Sequence, residues 1–422
     1  MRILFVIHQF FPEFHSGTER VALNLARNMQ RAGHYVHVLA CTVDATKAGA
    51  EADDAAASPW LRTVYQGVPV TFLPRAVLPA TADFSLDTDE LLVRQLMEWL
   101  QRGRFDLAHV MHTMRMASAV LAIQRCALPY MISLTDFFLP CAQINLVNLK
   151  GRQCAGPDEG KRCAKDCRTA PWTEQAYASR FARASSLLQA AGERVAPSDY
   201  VARRYRETFP GMEIRVLPHG IDILALAGAA KPTMEARQTK PLRLVFIGTI
   251  IAQKGADVLL KAMARLPTRA VSLKLIGGFH GDPAYHEQVR KLAAADPRVE
   301  IAGPIEAADV FAALAEADLL CLPSRVPESF SLVLHEASAA GVPALVSDLG
   351  APAEHVAKSR SGRVVVAGDV AAWAEAITEA VDSPEALQRW KQNLPLPLDV
   401  AEEAFFYESL YRRLRKEQPA AA

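Results

Sequence analysis

The sequence predicts an α/β protein made of two doubly wound domains, each a parallel sheet covered by helices on both faces. Short apolar runs alternate with segments of helical periodicity along most of the 422 residues. The runs are mainly apolar, as is typical of strands buried on both faces of a parallel sheet. The alternation is interrupted at residues 223–241, where two prolines and the lack of a strong period indicate a linker.

The first domain is predicted over residues 1–222. Its first helix follows from apolar residues at helical spacing that stop at Gly33, a common end for a helix. Those apolar residues are Val21, Leu25, Met29 and Ala32. Strands are predicted at four apolar runs, which are residues 2–7, 35–40, 105–112 and 130–136.

The second domain is predicted over residues 242–398. Its strands are expected at five runs, which are residues 243–248, 272–278, 299–303, 318–323 and 343–347. Helices are expected between them, near residues 256–266, 284–295 and 306–316 and from about residue 330. Residues 399–422 are predicted as an amphipathic C-terminal helix, and packing back on the first domain is one arrangement open to it.

Charge and hydropathy exclude several classes of protein. Lys and Arg number 47 against 46 Asp and Glu, so the net charge of +1 argues against a general nucleic-acid binder. The sequence has no apolar run of the roughly 18 residues that a membrane helix needs. The apolar N-terminus is too short for a signal peptide and is interrupted by His8 and Gln9, so we expect a cytoplasmic protein. No G-x-G-x-x-G follows the strands at 2–7 or 243–248, which argues against a dehydrogenase.

Two carboxylates flank the predicted start of a helix in the segment PSRVPESFSLVLHEASAAGVP (323–343). Glu328 precedes the helix and Glu336 lies about two turns into it. A helix start offers free N–H groups and a positive dipole end to a diphosphate. A carboxylate accepts hydrogen bonds from sugar hydroxyls. From spacing alone, a pair of solvated surface glutamates is an equally good interpretation.

This segment resembles the donor-binding motif of the retaining glycosyltransferases of family four, which have the GT-B fold of two Rossmann-like domains facing across a cleft. Ser329 and Ser331 stand where the family has glycines. The resemblance implies that Glu328 holds the donor sugar's hydroxyls and that Glu336 holds the nucleotide ribose. It also implies that the N–H groups near Phe330 and Ser331 face the sugar and diphosphate.

Three further segments resemble the same family. FPEFHSGTERVALNLARNMQRAGHYVHVLA (11–40) is similar to its first loop and helix, where Gly17 would let the backbone approach the donor. FIGTIIAQKGADVLLKAM (246–263) resembles the phosphate strand and loop, and Lys254 would neutralise the departing diphosphate in place of a metal ion. The family's usual arginine in this segment is Thr249 here. The segment from residue 302 to 324 is similar to the wall around the nucleotide base, with Ile305 beside the base.

The segment FDLAHVMHTMRMAS (105–118) contains His109 and His112. In related sequences the later histidine reaches the active site, so the resemblance implies that His112 acts there as an electrostatic or hydrogen-bonding group. Asp136, in ISLTDFF (132–138), would orient His112 or the acceptor. The catalytic set implied by the resemblance therefore consists of His112, Asp136, Lys254 and Glu328. A lone histidine at the end of a strand is also a common structural residue.

The resemblance implies transfer of a sugar from a nucleotide-diphosphate sugar to a saccharide or lipid-linked acceptor, with retention of configuration and no catalytic metal. Synthesis of cell-surface polysaccharide or glycoconjugate is the expected role. A nucleotide-sugar epimerase of the same fold and a degenerate nucleotide- or carbohydrate-binding protein remain open. Basic and apolar residues at 180–188 and 412–416 are consistent with peripheral contact with the inner face of a membrane.

Four cysteines lie within 27 residues, in a predicted insertion at 139–170. They are Cys141, Cys154, Cys163 and Cys167. In a reducing compartment such a cluster binds metal more often than it forms disulfides. A similar insertion occurs in a subset of the family, but the long gaps leave a structural zinc ion, an iron–sulfur cluster and free thiols all open.

Overall fold

The computed structural model describes residues 1–52, 60–167, 172–223, 241–266 and 270–416. The chain forms two compact units. The N-terminal unit comprises Met1–Gly220 and the segment that begins at Val400, and the C-terminal unit comprises Ile221–Asp399. The predicted linker falls almost wholly outside the described residues, as do the end of the predicted insertion at 168–170 and residues 417–422.

The N-terminal unit is built on a mainly parallel sheet. Its elements are β1 (Arg2–Val6), α1 (Gly17–Arg31), β2 (Tyr35–Thr42), β3 (Glu51–Ala52), β4 (Leu61–Tyr65), β5 (Val68–Pro74), α2 (Glu90–Gly103), β6 (Leu107–Val110), α3 (Ala117–Arg125), β7 (Tyr130–Ser133), α4 (Lys161–Asp166), α5 (Glu174–Ala190), β8 (Glu193–Ala196), α6 (Asp199–Thr208) and β9 (Arg215–Val216). In the described part of this unit, nine strands pair in the order β3–β4–β5–β2–β1–β6–β7–β8–β9. β4 is antiparallel to both of its neighbours, and the other pairs are parallel.

The C-terminal unit is also an α/β unit with a parallel sheet. Its elements are β10 (Leu242–Ile247), α7 (Ala256–Ala264), β11 (Val271–Ile276), α8 (Pro283–Ala294), β12 (Val299–Gly303), α9 (Val310–Ala315), β13 (Leu319–Leu322), α10 (Leu332–Ala339), β14 (Ala344–Ser347), α11 (Gly350–Ser359), β15 (Gly362–Val365), α12 (Val370–Asp382) and α13 (Pro384–Gln392). Its described strands are all parallel, in the order β12–β11–β10–β13–β14–β15. The strand order therefore reverses between β10 and β13, the place where ligands of such sheets bind.

Both faces of the C-terminal sheet are covered by apolar side chains. Neighbouring residues of β10 point to opposite faces. Leu244 and Phe246 belong to a buried cluster that includes residues of α7, α8 and α12. Val245 belongs to a second cluster, which includes residues of α9 and α10. The predicted fold class, two doubly wound α/β domains, is confirmed.

The predicted helix at 306–316 is divided in the structure. A 3-10 turn at Ala307–Asp309 precedes α9. The helix expected from about residue 330 begins at Leu332. The strand predicted at 105–112 ends at Val110, which leaves His112 in the loop after the strand.

The C-terminal helix α14 (Val400–Lys416) packs on the N-terminal unit, although it follows the C-terminal unit in the chain. Tyr407 and Tyr411 of α14 are completely buried. The Tyr411 hydroxyl lies 2.7 Å from Nδ1 of His109, whose Nε2 lies 2.7 Å from the Ser133 hydroxyl. The Glu403 carboxylate accepts a hydrogen bond of 2.9 Å from the Gly220 N–H. Polar contacts at both ends of the helix thus fix its position.

The free energy of unfolding should fall as the pH drops from 7 to 5, because His109 is buried as the neutral imidazole. Burial, and secondarily the nearby His219, lower the pKa of His109 to about 3. In the unfolded chain its pKa is near 6.5, so only the unfolded state takes up a proton between these values. This difference removes about 2 kcal/mol of stability by pH 5.

Denaturant unfolding of wild type and His109→Gln at the two pH values measures this loss. We expect the variant to lose about 2 kcal/mol less than wild type between pH 7 and 5. An identical pH dependence in both proteins would show that His109 does not stay neutral in the folded chain.

Candidate functional site

Three polar side chains follow neighbouring strands of the N-terminal sheet. His8 follows β1, His112 follows β6 and Asp136 follows β7, and these strands are adjacent. The ring centroids of His8 and His112 lie 4.0 Å apart. Nε2 of His112 lies 2.7 Å from Oδ2 of Asp136. The fold therefore brings His112 and Asp136 together, as the sequence predicts, and adds His8 to them.

The hydrogen bonds of His112 determine which ring nitrogen carries its proton. Nδ1 accepts a hydrogen bond of 3.1 Å from the Met114 N–H, so the proton lies on Nε2 and is donated to Asp136. The His112 side chain is only 4% exposed, whereas that of Asp136 is 30% exposed. The other Asp136 oxygen accepts a hydrogen bond of 2.8 Å from the Phe138 N–H. Asp136 is thus the accessible member of the pair, and His112 supports it from behind.

Two buried polar side chains, His8 and Glu19 in the first turn of α1, lie beside this pair. Glu19 is completely buried, and one of its oxygens accepts a hydrogen bond of 2.8 Å from the Ser16 N–H. Its other oxygen lies 3.7 Å from Nε2 of His8. Gly17 is the exposed first residue of α1. Burial, and then the charges of neighbouring groups, hold the pKa of His8 well below its usual value, so His8 is neutral at pH 7.

His8 and Glu19 were not predicted as site residues. Within the described residues, His8 Nδ1 and one Glu19 oxygen are buried without a hydrogen-bond partner. The available signal was position, because His8 follows β1 as His112 follows β6, and the carboxyl ends of adjacent parallel strands share one edge of a sheet.

In the C-terminal unit, Lys254 and Glu328 form an ion pair. Lys254 ends a 3-10 turn after β10, and Glu328 follows β13, the strand adjacent to β10. Nζ of Lys254 lies 2.9 Å from Oε1 of Glu328. The Ser324 hydroxyl donates a hydrogen bond to the same oxygen. The pair thus stands where the strand order of the sheet reverses.

Opposing effects set the ionisation of Glu328. Burial alone would raise the pKa of Glu328, but the charge of Lys254 and the hydrogen bonds from Ser324 and Lys254 outweigh it. The pKa of Glu328 is therefore held below its ordinary value. The site keeps a carboxylate ionised although its side chain is only 12% exposed.

Two glycines near this pair stand where another part of the backbone approaches too closely for a Cβ atom. Gly255 has φ +72°, and a Cβ there would lie 2.2 Å from the Pro323 carbonyl oxygen. Gly350, the first residue of α11, has φ +74°, and its Cβ would lie 2.4 Å from the Glu328 nitrogen. The Ala351 N–H donates a hydrogen bond of 2.9 Å to the Glu328 carbonyl. The need for glycine at position 350 was not predicted, since the sequence around it indicates only a turn.

The remaining residues of the predicted donor motif lie around the start of α10. Ser331 has φ +75°, a left-handed conformation that favours glycine, so the serine adopts the conformation expected of the family's glycine. Ser329 is half-buried. Phe330 is buried and stacks on His335 with ring centroids 3.9 Å apart. Glu336 is buried in the second turn of α10.

Two further predicted positions lie after strands of the same sheet. Ile305 follows β12 and packs half-buried against the cluster that contains Val245. Thr249 is exposed and follows Gly248, which comes directly after β10. Ile305 is therefore partly engaged in packing, and a cation in place of Thr249 would be open to solvent.

The four clustered cysteines line one small cavity of the N-terminal unit. All four are free thiols in this structure. Burial, reinforced by the neighbouring thiols, raises the pKa of Cys163 to about 12 and that of Cys167 to about 11. Across the described ranges, no group of three or more His, Cys, Asp or Glu side chains is arranged as a metal centre.

Much of the segment 180–188 is engaged in contacts within the fold, while Arg183 is exposed. Arg180 is buried and donates hydrogen bonds to the carbonyls of Phe84, Phe138 and Leu139. The apolar residues of this segment are Phe181, which stacks on Phe209, and the buried Leu187 and Leu188. Among the described helices, none is both long enough and apolar enough to cross a bilayer.

Both units match known protein families. The family described as Glycosyltransferase Family 4 matches residues 15–223, and the family described as Glycosyl transferases group 1 matches residues 231–395. A phosphatidyl-myo-inositol mannosyltransferase of Mycobacterium leprae is 31% identical over 199 residues, which cover 47% of this chain and 52% of that protein. The chain spans about half the length of the curated relatives it matches.

Solved structures resemble almost the whole chain. Anabaena HepE in complex with UDP and glucose has a TM-score of 0.70 and 17% identity, covering 98% of this chain and 100% of that one. A glycosyltransferase from Rickettsia africae has a TM-score of 0.69 and 15% identity, covering 99% of each chain. At these identities the structures support the fold, and the family matches support the kind of protein. The two units thus match glycosyltransferase families, and the chain has the GT-B fold.

Proposed function

We propose that the chain is a retaining glycosyltransferase that moves a sugar from a nucleotide-diphosphate sugar to a saccharide or lipid-linked acceptor. The observation that carries the proposal is the Lys254–Glu328 pair, 2.9 Å long, at the carboxyl ends of β10 and β13. The start of α10 follows Glu328 and offers free N–H groups to a diphosphate. A cation, a carboxylate and a helix N-terminus thus stand together where ligands of doubly wound sheets bind.

Each group of this site has a distinct proposed role. Lys254 neutralises the diphosphate, and the ionised Glu328 accepts hydrogen bonds from the donor sugar's hydroxyls. Glu336 holds the ribose. The other donor contacts come from the backbone or from packing, at Gly17, Ile305, Ser329, Phe330 and Ser331. The left-handed Ser331 supports this assignment, because it turns the backbone directly before α10.

The proposed reaction is a displacement on one face of the sugar. The bond between the anomeric carbon and the diphosphate oxygen breaks, and a bond from that carbon to the acceptor oxygen forms on the same face. The acceptor's hydroxyl proton passes to the departing phosphate, and Lys254 meets the charge that develops there. Retention of configuration follows because departure and attack share a face.

We assign Asp136 to contact with a hydroxyl of the reacting sugar or of the acceptor. Its side chain is 30% exposed, and His112 fixes its orientation through a hydrogen bond of 2.7 Å. His112 belongs to the catalytic set as the group that holds Asp136 and contributes a fixed dipole. It is not a general base, since both of its ring nitrogens are engaged.

The acceptor class includes lipid-linked saccharides, and the proposed location is the cytoplasm with peripheral contact at the inner face of the membrane. The M. leprae relative is named for transfer to a phosphatidyl lipid. In α14, Phe405 and Phe406 are 66% and 48% exposed. Arg412 follows Phe405 by seven residues and therefore shares its face of the helix. Exposed aromatic and basic side chains on one face suit a membrane interface.

Any zinc in the protein belongs to the cysteine cluster and not to the donor site.

A screen of nucleotide sugars tests the function. We expect one nucleotide sugar to stabilise the protein against heat and to be consumed when a saccharide, or a lipid-linked saccharide in anionic vesicles, is supplied. Glu336→Ala should weaken binding of the nucleotide diphosphate by about 1–3 kcal/mol, the range for a lost charged hydrogen bond. Glu328→Ala should leave that binding unchanged and abolish turnover.

Glu287→Ala, which changes an exposed glutamate of α8, is the control and should alter neither quantity. Equal nucleotide affinity in wild type and Glu336→Ala would refute the ribose assignment. Epimerised sugar without transfer would identify an epimerase. Nucleotide-sugar binding without any turnover would identify a binding protein.

A further inference from the structure

We infer that Cys141, Cys154, Cys163 and Cys167 bind a single zinc ion that fastens the loop after Asp136. The four cysteines are separated by 12, 8 and 3 residues, yet all of them line the same small cavity. Four sulfur ligands are the set that a tetrahedral zinc site takes, and here they surround one cavity, although the described thiols are not arranged as a metal centre until they turn toward it. Neither the matching families nor the similar structures carry a name that assigns a metal to this segment.

Local structure brings the sulfur atoms to the cavity. Cys163 lies in α4 and Cys167 directly follows it, so a four-residue separation places both on one face of the helix. The Cys167 N–H donates a hydrogen bond of 2.9 Å to the Cys163 carbonyl. The Cys141 N–H bonds to the carbonyl of Phe137 at 2.8 Å, and the Cys154 N–H bonds to that of Leu146 at 2.7 Å. Each cysteine is therefore fixed by its own backbone.

Long side chains hold the same backbone from outside. Arg204 donates a hydrogen bond of 3.0 Å to the Cys154 carbonyl, and the Tyr177 hydroxyl donates one of 2.9 Å to the Cys167 carbonyl. The Gly156 N–H points at the Cys154 sulfur, 3.4 Å away. Outer hydrogen bonds of this kind orient metal ligands and stabilise a thiolate. The surroundings of the cysteines thus resemble the support of a metal site.

Apart from the cysteines, few buried side chains stabilise the segment from Cys141 to Cys167. Its separate buried cluster consists of Ala142, Cys163 and Tyr177, with Ala164 and Trp172 packed against them. Leu139 and Leu146 are also buried, but these few apolar side chains do little to offset the roughly 1–2 kcal/mol of backbone entropy that each ordered residue costs. Metal binding supplies folding free energy to small segments of this type.

The size of the cavity favours one zinc ion over an iron–sulfur cluster. Its volume is about 10 Å³, which is room for one water-sized sphere. One ion with four sulfur ligands at about 2.3 Å needs less room than a cluster of several iron and sulfide ions. The four thiols would each release a proton as the sulfur atoms turn into the cavity and take up the metal.

The position of the cluster links it to the active site, and this step rests on the proposed function. Cys141 is five residues after Asp136, and Arg180 binds the carbonyls of Phe138 and Leu139 between them. Loss of the ion should therefore displace Asp136 and reduce turnover. Nucleotide binding by the C-terminal unit should be unaffected.

Metal analysis of the purified, untagged protein tests the inference. We expect about one zinc per chain, and cobalt in its place should give the charge-transfer absorption of a tetrahedral thiolate site. Cys163→Ser should abolish stoichiometric zinc. Cys126→Ser, at a half-buried cysteine outside the cluster, is the matched control and should retain it.

Metal content is measured without any assay of turnover. Failure of the zinc inference is therefore distinguishable from failure of the proposed function. Cobalt absorption of the wild-type chain decides the question even if Cys163→Ser does not fold. Stoichiometric iron, a disulfide within the cluster, or a metal-free protein with four titratable thiols in this segment would overturn the inference.

Discussion

Replacement of Lys254 by methionine should reduce turnover by about 10²- to 10³-fold while the chain stays folded. The methionine keeps most of the length of the side chain and removes the charge that lies 2.9 Å from Glu328. A preorganised cation contributes most where charge develops in the transition state, here on the departing diphosphate. The measurement is kcat and KM with the nucleotide sugar identified by the screen, together with thermal unfolding.

Lys274→Met is the matched control. Lys274 also belongs to the C-terminal unit and lies 3.8 Å from a carboxylate, that of Glu300, but it stands within β11 and away from Glu328. Its loss should leave turnover within about twofold, since exposed ion pairs contribute little. Wild-type turnover in Lys254→Met, or an equal loss in both variants, would contradict the role given to Lys254.

The same variant should change the pH dependence in a known direction. In wild type, Lys254 and Ser324 hold the pKa of Glu328 below its ordinary value against the effect of burial. Without the lysine charge, burial has the larger influence and the pKa of Glu328 rises. The acidic limb of the kcat/KM profile, which reports protonation of Glu328, should therefore move to higher pH in Lys254→Met.

Much of the fold could be predicted because the buried strands are mainly apolar runs separated by segments of helical periodicity. β1 and β10 were placed within one residue of their observed ends, since the middle of a parallel strand covered on both faces is apolar. The hairpin of β4 and β5 was missed. β4 alternates between half-buried and exposed residues, which makes its pattern hard to distinguish from a loop.

The resemblance to a known family selected Lys254, Glu328 and His112, each a single side chain in a loop after a strand, and their roles remain predictions. The sequence does not predict which side chains far apart in the chain come into contact or form hydrogen bonds in the fold. The contact between the tilted rings of His8 and His112 depends on the adjacency of β1 and β6, which no local pattern encodes. Packing likewise determines that Asp136 is the exposed member of the pair and His112 the buried one.

Gly350→Ala should reduce kcat/KM by roughly 10²-fold, although residue 350 has no functional group. The added Cβ would lie 2.4 Å from the nitrogen and 2.5 Å from the oxygen of Glu328, and backbone atoms cannot move aside as a flexible side chain can. Glu328 must therefore shift, and a misplacement of about 1 Å in a positioned group is enough for such a loss. Nucleotide binding through Glu336 should weaken much less than turnover.

Gly368→Ala isolates this effect from backbone strain. Gly368 has φ +75° against +74° at Gly350, but a Cβ at 368 would meet no atom within 4 Å. Both variants should lose roughly 1–2 kcal/mol of stability from the left-handed conformation, and Gly350→Ala should lose more because of the collision. Only Gly350→Ala should lose activity, measured as kcat/KM at a temperature where both proteins are fully folded. Equal activity in the two variants would mean that the exact position of the Glu328 backbone does not matter for catalysis. That outcome would place the sugar-binding carboxylate elsewhere in the chain.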